Sequence, residues 1–446
     1  MSQDAQLLLV AALAIVGLIA LIAWCKVPPF IALVLASLVV GLCSGSDPAK
    51  LTRSFAEGVG SVLGSIAMII GLGAVAGKAL EISGGAERLG QTLIEAFGTR
   101  RLPLAVTILA FVVGIPVFFG VGLVLLIPLV MSTARQNRTS FIALGLPLVT
   151  GLSVAHGLVP PHPGPIAAVG ILKADLGKTI LYSLLIGVPT SIVCGALLGP
   201  VLARRQTLPP IEAARPLAAQ TSPRPASLLM FPLITILMPI LLIFAATLAD
   251  LCLPFGNGLR SAADWLGNPT IALLLAVLFS MAFLGRTQGF DMRRVATLAE
   301  QSLAPVAAIL LVVGAGGGFS KVLVDNGVGD ALARQVTASG ISPLLAGWLI
   351  AAIIRVATGS ATVAITTASG FLVPIAASTP TLNRELAVVA MGAGSLIFSH
   401  VNDGGFWLVK EYLNLTVTQT LQTWTVIETA VSVVSFLLVL LLNLAI

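Results

Sequence analysis

Charge is scarce in this chain. Of its 446 residues only 9% are Asp, Glu, Lys or Arg, against about 25% in a soluble domain, while 57% are hydrophobic. That balance excludes a soluble enzyme or binding module and leaves a polytopic membrane protein. Histidine is rarer still, at three residues, and no HExxH or comparable ligand spacing joins them. This argues against a membrane-embedded metalloenzyme, and no metal site or catalytic residue is expected. The four cysteines, Cys25, Cys43, Cys194 and Cys252, form no CxxC pair. They read as small buried hydrophobes rather than ligands. The net charge of +6 is no nucleic-acid footprint, because Lys and Arg in such a chain are topology signals. Before the first apolar run stands Asp4 with no basic residue, and no small-residue cleavage site follows. A cleaved signal peptide is therefore not expected.

What the chain has in abundance is apolar runs. They lie near residues 6–24, 28–44, 58–80, 102–119, 121–134, 141–159 and 176–202, and again near 228–248, 268–285, 301–324, 342–357, 361–377, 386–400 and 425–446. A polar, Pro-rich stretch, 204–227, separates the two sets and reads as a cytoplasmic linker. The short pairs 102–119 with 121–134, and 342–357 with 361–377, suggest re-entrant hairpins rather than full spans.

The two sets repeat one order: three spans, an amphipathic stretch, a hairpin, a broken segment and a last span. GLGAVAGKALEISGGAERL from Gly71 aligns with GAGGGFSKVLVDNGVGDAL from Gly314, so that Lys78 meets Lys321 and Gly84 meets Gly327. If the hairpins do not cross, each half makes five crossings and the second half is inverted. Basic loops then fall on one side, around Arg88, Arg100 and Arg101, Arg135 and Arg138, Arg204 and Arg205, and Arg293 and Arg294. The positive-inside rule makes that side cytoplasmic and both termini periplasmic. The predicted fold is an all-α polytopic membrane protein of two inverted repeats, 1–203 and 228–446. Each divides into a scaffold part (1–101, 228–341) and a transport part (102–203, 342–446). The stretches Glu81–Arg101 and Asp325–Ser342 are expected as helices along the membrane surface or as ordinary exposed loop helices. Lys78 and Lys321 read as snorkelling anchors.

Four stretches break regular structure: GIPVFFGVG (Gly114–Gly122), HGLVPPHPGP (His156–Pro165), RVATGSATVA (Arg355–Ala364) and SHVNDGGFW (Ser399–Trp407). Proline removes amide donors and glycine permits sharp turns, so each leaves backbone groups unpaired. Inside a membrane such groups persist only in a protein-lined or watered cavity, and helix N-termini there favour anions. A purely structural reading stays open for each candidate. Thr358, Ser360 and Thr362 can bond back to carbonyls. His156, His162 and His400 can stabilise the breaks or transfer protons. Arg355 can hold a carboxylate or a local acid. Asn402 and Asp403 are costly at membrane depth and so point to function, although Lys410 and Glu411 follow closely.

At these residues the chain resembles a known family. HGLVPPHPGP, ADLGKTILY (Ala174–Tyr182), RVATGSATVA and FSHVNDGGFWLVKEYLNLT (Phe398–Thr416) look like the gluconate permease family, within the ion-transporter superfamily. Those proteins are gluconate:proton symporters of bacterial inner membranes. The resemblance runs from about Val27 to the C-terminus and implies a multi-pass importer of gluconate or a similar small organic anion. It implies no cofactor beyond a coupling proton, alternating access of an elevator kind and, by analogy of fold, a homodimer. The implied substrate site comprises Phe119, Gly120, His162, Gly164, Thr358, Gly359, Ser360, Thr362 and Asn402. Ser360, Thr362 and Asn402 would bond hydroxyls, and amides near Gly359 and Gly164 the carboxylate. Asp403, His156 and His400 are the candidates for proton coupling. Two departures stand out. Gly120 replaces the Glu of the family's FFEVG pattern, so coupling can be altered or absent. Gly404 replaces a common Pro. Other readings are the same carrier for another hydroxy acid or D-serine, and a channel.

Overall fold

The structure, a computed structural model, describes residues 3–83, 92, 97–98, 101–206, 230–254, 256–288, 290–328, 331, 334–335, 340–401 and 403–446. Among them the chain is all-helical. The first helices are α1 (Gln3–Ile19), α2 (Pro29–Cys43) and α3 (Pro48–Ser83). A hairpin follows, α4 (Leu102–Gly114) and α5 (Phe119–Gln136), then a broken pair, α6 (Phe141–Leu158) and α7 (Pro163–Leu172). A long segment closes this half: α8 (Leu176–Ser191), a π-helical stretch Ile192–Leu198 and α9 (Gly199–Arg204).

The second half opens with α10 (Met230–Cys252), α11 (Gly258–Leu266), α12 (Pro269–Gln288) and α13 (Met292–Asp325). Its hairpin is α14 (Pro343–Thr358) and α15 (Ala361–Ser378). Next come α16 (Arg384–Gly394), a non-helical stretch and α17 (Gly404–Tyr412). The final segment is α18 (Val417–Thr420), a π-helical turn Leu421–Thr425 and α19 (Val426–Ala445). Most of the predicted surface stretches 81–101 and 325–342, and nearly all of the linker, lie outside the described residues.

The sequence predicts ten crossings. Length and composition give seven spanning helices among the described residues, or nine if each of two bent pairs counts as one. The second hairpin arms, α5 and α15, are among the seven, whereas the 15-residue α2 is not. A 15-residue helix rises only about 22 Å, short of a hydrocarbon core of about 30 Å. Two basic stretches lie in helices, and the second of them corrects a predicted loop. Lys50 and Arg53 sit in the first turns of α3, where the Asp47 carboxylate accepts from Lys50 N at 3.1 Å and Arg53 pairs with Glu57 at 3.0 Å. Arg293 and Arg294 likewise open α13, capped by Asp291. Hydropathy marks the apolar part of a helix, not its polar first turns. The amphipathic α11, with no buried residue, falls between apolar runs and was invisible to them.

The cysteine reading is corrected too: Cys25, Cys43 and Cys252 are exposed and only Cys194 is buried. An apolar run in a membrane protein faces lipid as readily as protein. Leu13, Trp24, Leu197, Leu241 and Leu441 are all more than half exposed, which in water would mark an aggregating surface. Lys321 is not a simple anchor, because its Nζ pairs with Asp325 at 2.6 Å and Asp325 also accepts from Ser54 of α3.

The longest helices, α3 and α13, form the most extensive pair. They meet backbone to backbone: a Cβ on Gly58 would lie 2.4 Å from the Gly317 carbonyl, and one on Gly317 would lie 2.7 Å from that of Gly58. Gly317→Ala is therefore expected to overpack the crossing by about 1–3 kcal/mol, lowering the melting temperature in detergent. Gly60→Ala on the partner helix α3 meets nothing within 4 Å and should leave that temperature in place. The largest buried cluster draws nearly all its residues from 102–203 and 344–439.

Candidate functional site

The breaks follow from local chemistry. Helix α6 stops at Leu158, Val159 turns extended, and a cis Pro160–Pro161 bond follows. His162 is then the N-cap of α7, whose first residue is Pro163. Proline is accepted there, since a first-turn N–H has no intrahelical partner. This broken stretch, Phe141–Leu172, is 89% buried inside the protein, against 21% for Ala5–Ile22. Non-helical backbone thus lies within protein, as a bilayer requires. In the other half, Asp403 caps α17 by accepting from Gly405 N at 2.8 Å. Gly404 is the first residue of that helix, a position at which proline would also be accepted.

The first hairpin tip, Ile115–Phe118, is held from two sides. Its Pro116 carbonyl packs on Gly77 of α3, where a Cβ would come within 2.4 Å. Beside it, the Gly114 carbonyl accepts from His162 Nε2. A carbonyl can only accept, so His162 carries its proton on Nε2. Its Nδ1 then accepts from His156 Nδ1–H at 3.3 Å, which leaves Nε2 as the acceptor of the His156 ring.

At the second tip, Gly359 ends α14 with φ +71°, and Ser360 caps α15 by accepting from Val363 N at 3.3 Å. Arg355 organises this tip. Its Nη1 donates to the Gly359 carbonyl at 2.7 Å and its Nη2 to Asp403 Oδ2. Asp403 Oδ2 also accepts from Ser399 Oγ, which in turn accepts from Trp424 Nε1 at 2.8 Å. Both charged side chains are nearly buried, at 5% and 10% side-chain exposure. Arg355 Nε meets no hydrogen-bond partner among the described residues.

These parts converge on one cavity of about 410 Å³. Its walls come from the start of α5 (Phe119), α6 (Ser153, His156), the second tip (Arg355 and Thr358 to Thr362), the second break (Leu396, Asp403 to Gly405) and the final segment (Trp424, Glu428). Phe119 and Trp424 pack with tilted rings, centroids 5.7 Å apart, an apolar wall for a carbon chain.

Phe119, His156, Thr358, Gly359, Ser360, Thr362 and Asp403, named from the sequence, are all brought together here. Others are placed differently. His162 is buried behind His156. Gly164 packs against Ile365 and Thr362 rather than on the cavity wall. A side chain at Gly120 would meet Leu408 at 3.3 Å. His400 bonds the Val356 carbonyl at 3.0 Å and meets Phe398 edge to face, and it is not among the residues that line the cavity. Thr358 donates back to Ile354 O at 2.8 Å, the local bond open to it from sequence. Asn402 lies outside the described residues. Sequence reasoning missed Ser153, Leu396, Trp424 and Glu428.

A helical membrane chain whose interrupted segments enclose a polar, aromatic-walled cavity is built as a carrier, a transporter and not an enzyme. Residues 6–445 match the family described as GntP family permease, and the chain belongs to that family as a multi-pass membrane permease. It is 48% identical over 445 residues to a gluconate permease of Pseudomonas aeruginosa, covering 100% of this chain and 99% of the relative. It is 42% identical to a high-affinity gluconate transporter of Escherichia coli K12, covering 98% and 100%. It is 40% identical to the L-idonate transporter of the Gnt-II system of the same organism, covering 98% and 99%. The fold is also that of the Alcanivorax borkumensis YdaH transporter, with TM-score 0.63, 17% identity, and coverage of 96% of this chain and 99% of the other.

Proposed function

We propose that the chain imports gluconate or a close sugar acid across the bacterial inner membrane by proton symport. The observation that carries this is the buried guanidinium of Arg355, on the cavity wall with Nε unpartnered among the described residues. A buried cation with spare donors beside hydroxyls and an aromatic wall suits a carboxylate attached to a polyhydroxy chain. Arg355 and the N-terminal turn of α15 hold the carboxylate. Ser360, Thr362 and His156 Nε2 bond hydroxyls, joined by Asn402, and Phe119 with Trp424 covers the C–H face. Gly359 gives the backbone its approach. Relatives named for gluconate support the substrate class. The relative named for L-idonate keeps a second reading open, the same carrier for another sugar acid.

Transport is by alternating access, with 102–203 and 342–446 moving against the scaffold 1–101 and 228–341. The two halves are inverted repeats joined by a cytoplasmic linker, 204–227, with periplasmic termini. The matching helix order and the shared core of the moving part support this division. Asp403 is a poor proton carrier, since both its oxygens are occupied by Arg355, Ser399 and the α17 cap. His400 is not among the residues that line the cavity, and His156 is better suited to a hydroxyl. Native mass measurement of solubilised protein decides whether the carrier is also a homodimer.

Proteoliposome uptake tests the reading. Gluconate should compete with labelled substrate better than glycerate or D-serine, and should accumulate uphill only with an inward proton gradient. An Asn402→Ala, Ser360→Ala double variant is expected to lose at least about tenfold in uptake, since two hydrogen bonds are removed. Uptake unchanged from the parent would sink the site assignment.

A further inference from the structure

Glu428 is the only Asp, Glu, Lys or Arg after Glu411. It does not sit at a helix end. The final helical run starts at Val417, capped by the Thr416–Gln419 box, so Glu428 lies about 16 Å along the axis. It is 1% exposed, lines the cavity, and its Oε1 has no hydrogen-bond partner among the described residues. A buried carboxylate with one oxygen unpartnered and no cation bonded to it is costly when ionised and tolerable when protonated.

Its surroundings can be named element by element. From α6 come Ser153, a hydrogen-bonding neighbour of the carboxylate, and His156 with His162 behind it. Arg355 and Asp403 lie within electrostatic range but are bonded to each other. The π-helical stretch after α8 brings Cys194. Helix α8 carries Lys178 and Tyr182 in its first two turns, with Lys178 exposed. Helix α16 carries Arg384 and Glu385 in its first turn, bonded to Leu172 O and Asp175 N. Among these groups none gives Glu428 a salt bridge.

We propose that Glu428 binds the co-transported proton. This rests on the symport reading above. The argument is one of charge in a confined space. With Arg355 and Asp403 paired, the cavity is neutral when Glu428 is protonated, and an anionic substrate adds a single negative charge. With Glu428 ionised, two negative charges share a space about 9 Å across, given its volume of about 410 Å³. At that separation their repulsion weakens substrate binding roughly 20-fold. Substrate and proton therefore enter together. A proton from water on the outer side binds a Glu428 oxygen as the anion docks. After the cavity opens inward and the anion leaves, the same proton passes to cytoplasmic water and the carboxylate is regenerated. Glu428 thus supplies an acid within the cavity although position 120 is Gly.

Glu428→Gln keeps the shape of the protonated form, and purified protein in proteoliposomes tests the idea. The wild type should accumulate gluconate uphill under an inward proton gradient. The variant should lose that accumulation yet keep gluconate counterflow, which needs no net proton movement. Variant accumulation equal to wild type overturns the assignment to Glu428 while leaving symport intact. Loss of counterflow in folded variant also overturns it, since Glu428 would then be holding substrate. Failure of the wild type itself to accumulate overturns symport and this inference together. A second readout needs no variant: gluconate binding to the wild type should weaken roughly 20-fold as pH rises through the titration of Glu428. Binding that is flat with pH overturns the proposal.

Discussion

Arg355→Ala is expected to abolish gluconate uptake and to destabilise the protein in the same step. The Arg355–Asp403 pair is nearly buried, and removing one member leaves the other as an uncompensated charge, which costs about 3–5 kcal/mol. Asp403→Ala should destabilise by a similar amount. It also removes the α17 cap and the acceptor for Ser399. The double variant, Arg355→Ala with Asp403→Ala, separates structure from function. Its melting temperature in detergent should recover most of the loss, because no lone charge stays buried. Uptake should not recover, because the cation that holds the carboxylate is gone. Equal melting temperatures for the double variant and the worse single variant would mean that the pair is not the unit described.

The second large effect is expected at Gly359. Its φ of +71° is the left-handed region, in which a β-branched side chain is strained by about 1–3 kcal/mol. Gly359 also donates to Arg355 O at 2.9 Å and accepts from Arg355 Nη1 at 2.7 Å, so strain here moves the guanidinium. Gly359→Val should cut initial uptake at least about tenfold per folded molecule. Gly45→Val provides the comparison. Its φ is +82° with open space around it, and it is not among the residues that line the cavity. It should lower stability alone, with uptake per folded molecule unchanged.

Much of the site was legible because proline and glycine announce where a helix must stop. HGLVPPHPGP breaks at Val159–His162 for the reason its composition implies: two consecutive prolines withhold donors. TGSAT does the same through Gly359. Composition also exposed the membrane setting at once. The direction of side chains was not legible. His156, His162 and His400 look alike in sequence, yet one lines the cavity, one clamps the first tip from behind and one bonds a carbonyl elsewhere. Gly120 drew attention as a missing acid, whereas a side chain there would meet Leu408.

Glu428 was hidden for a physical reason. The apolar run begins near 425, so hydropathy alone leaves the acid only three residues from the start of that run. The polar turn Thr416–Thr420 is nevertheless helical, because the Thr416 and Gln419 side chains cap it. That box was readable as T-x-x-Q, and it would have moved Glu428 three turns inward. Similarly, Asp47 and Asp291 were the readable signals that α3 and α13 start in polar sequence.

Equilibrium binding of labelled gluconate to the purified Arg355→Ala, Asp403→Ala double variant addresses the central claim directly, since loss of a buried charge-assisted contact weakens binding about 30-fold or more. Folded double variant should show no saturable binding at concentrations that fill the wild type. Affinity within a few-fold of the wild type would show that the carboxylate is held elsewhere.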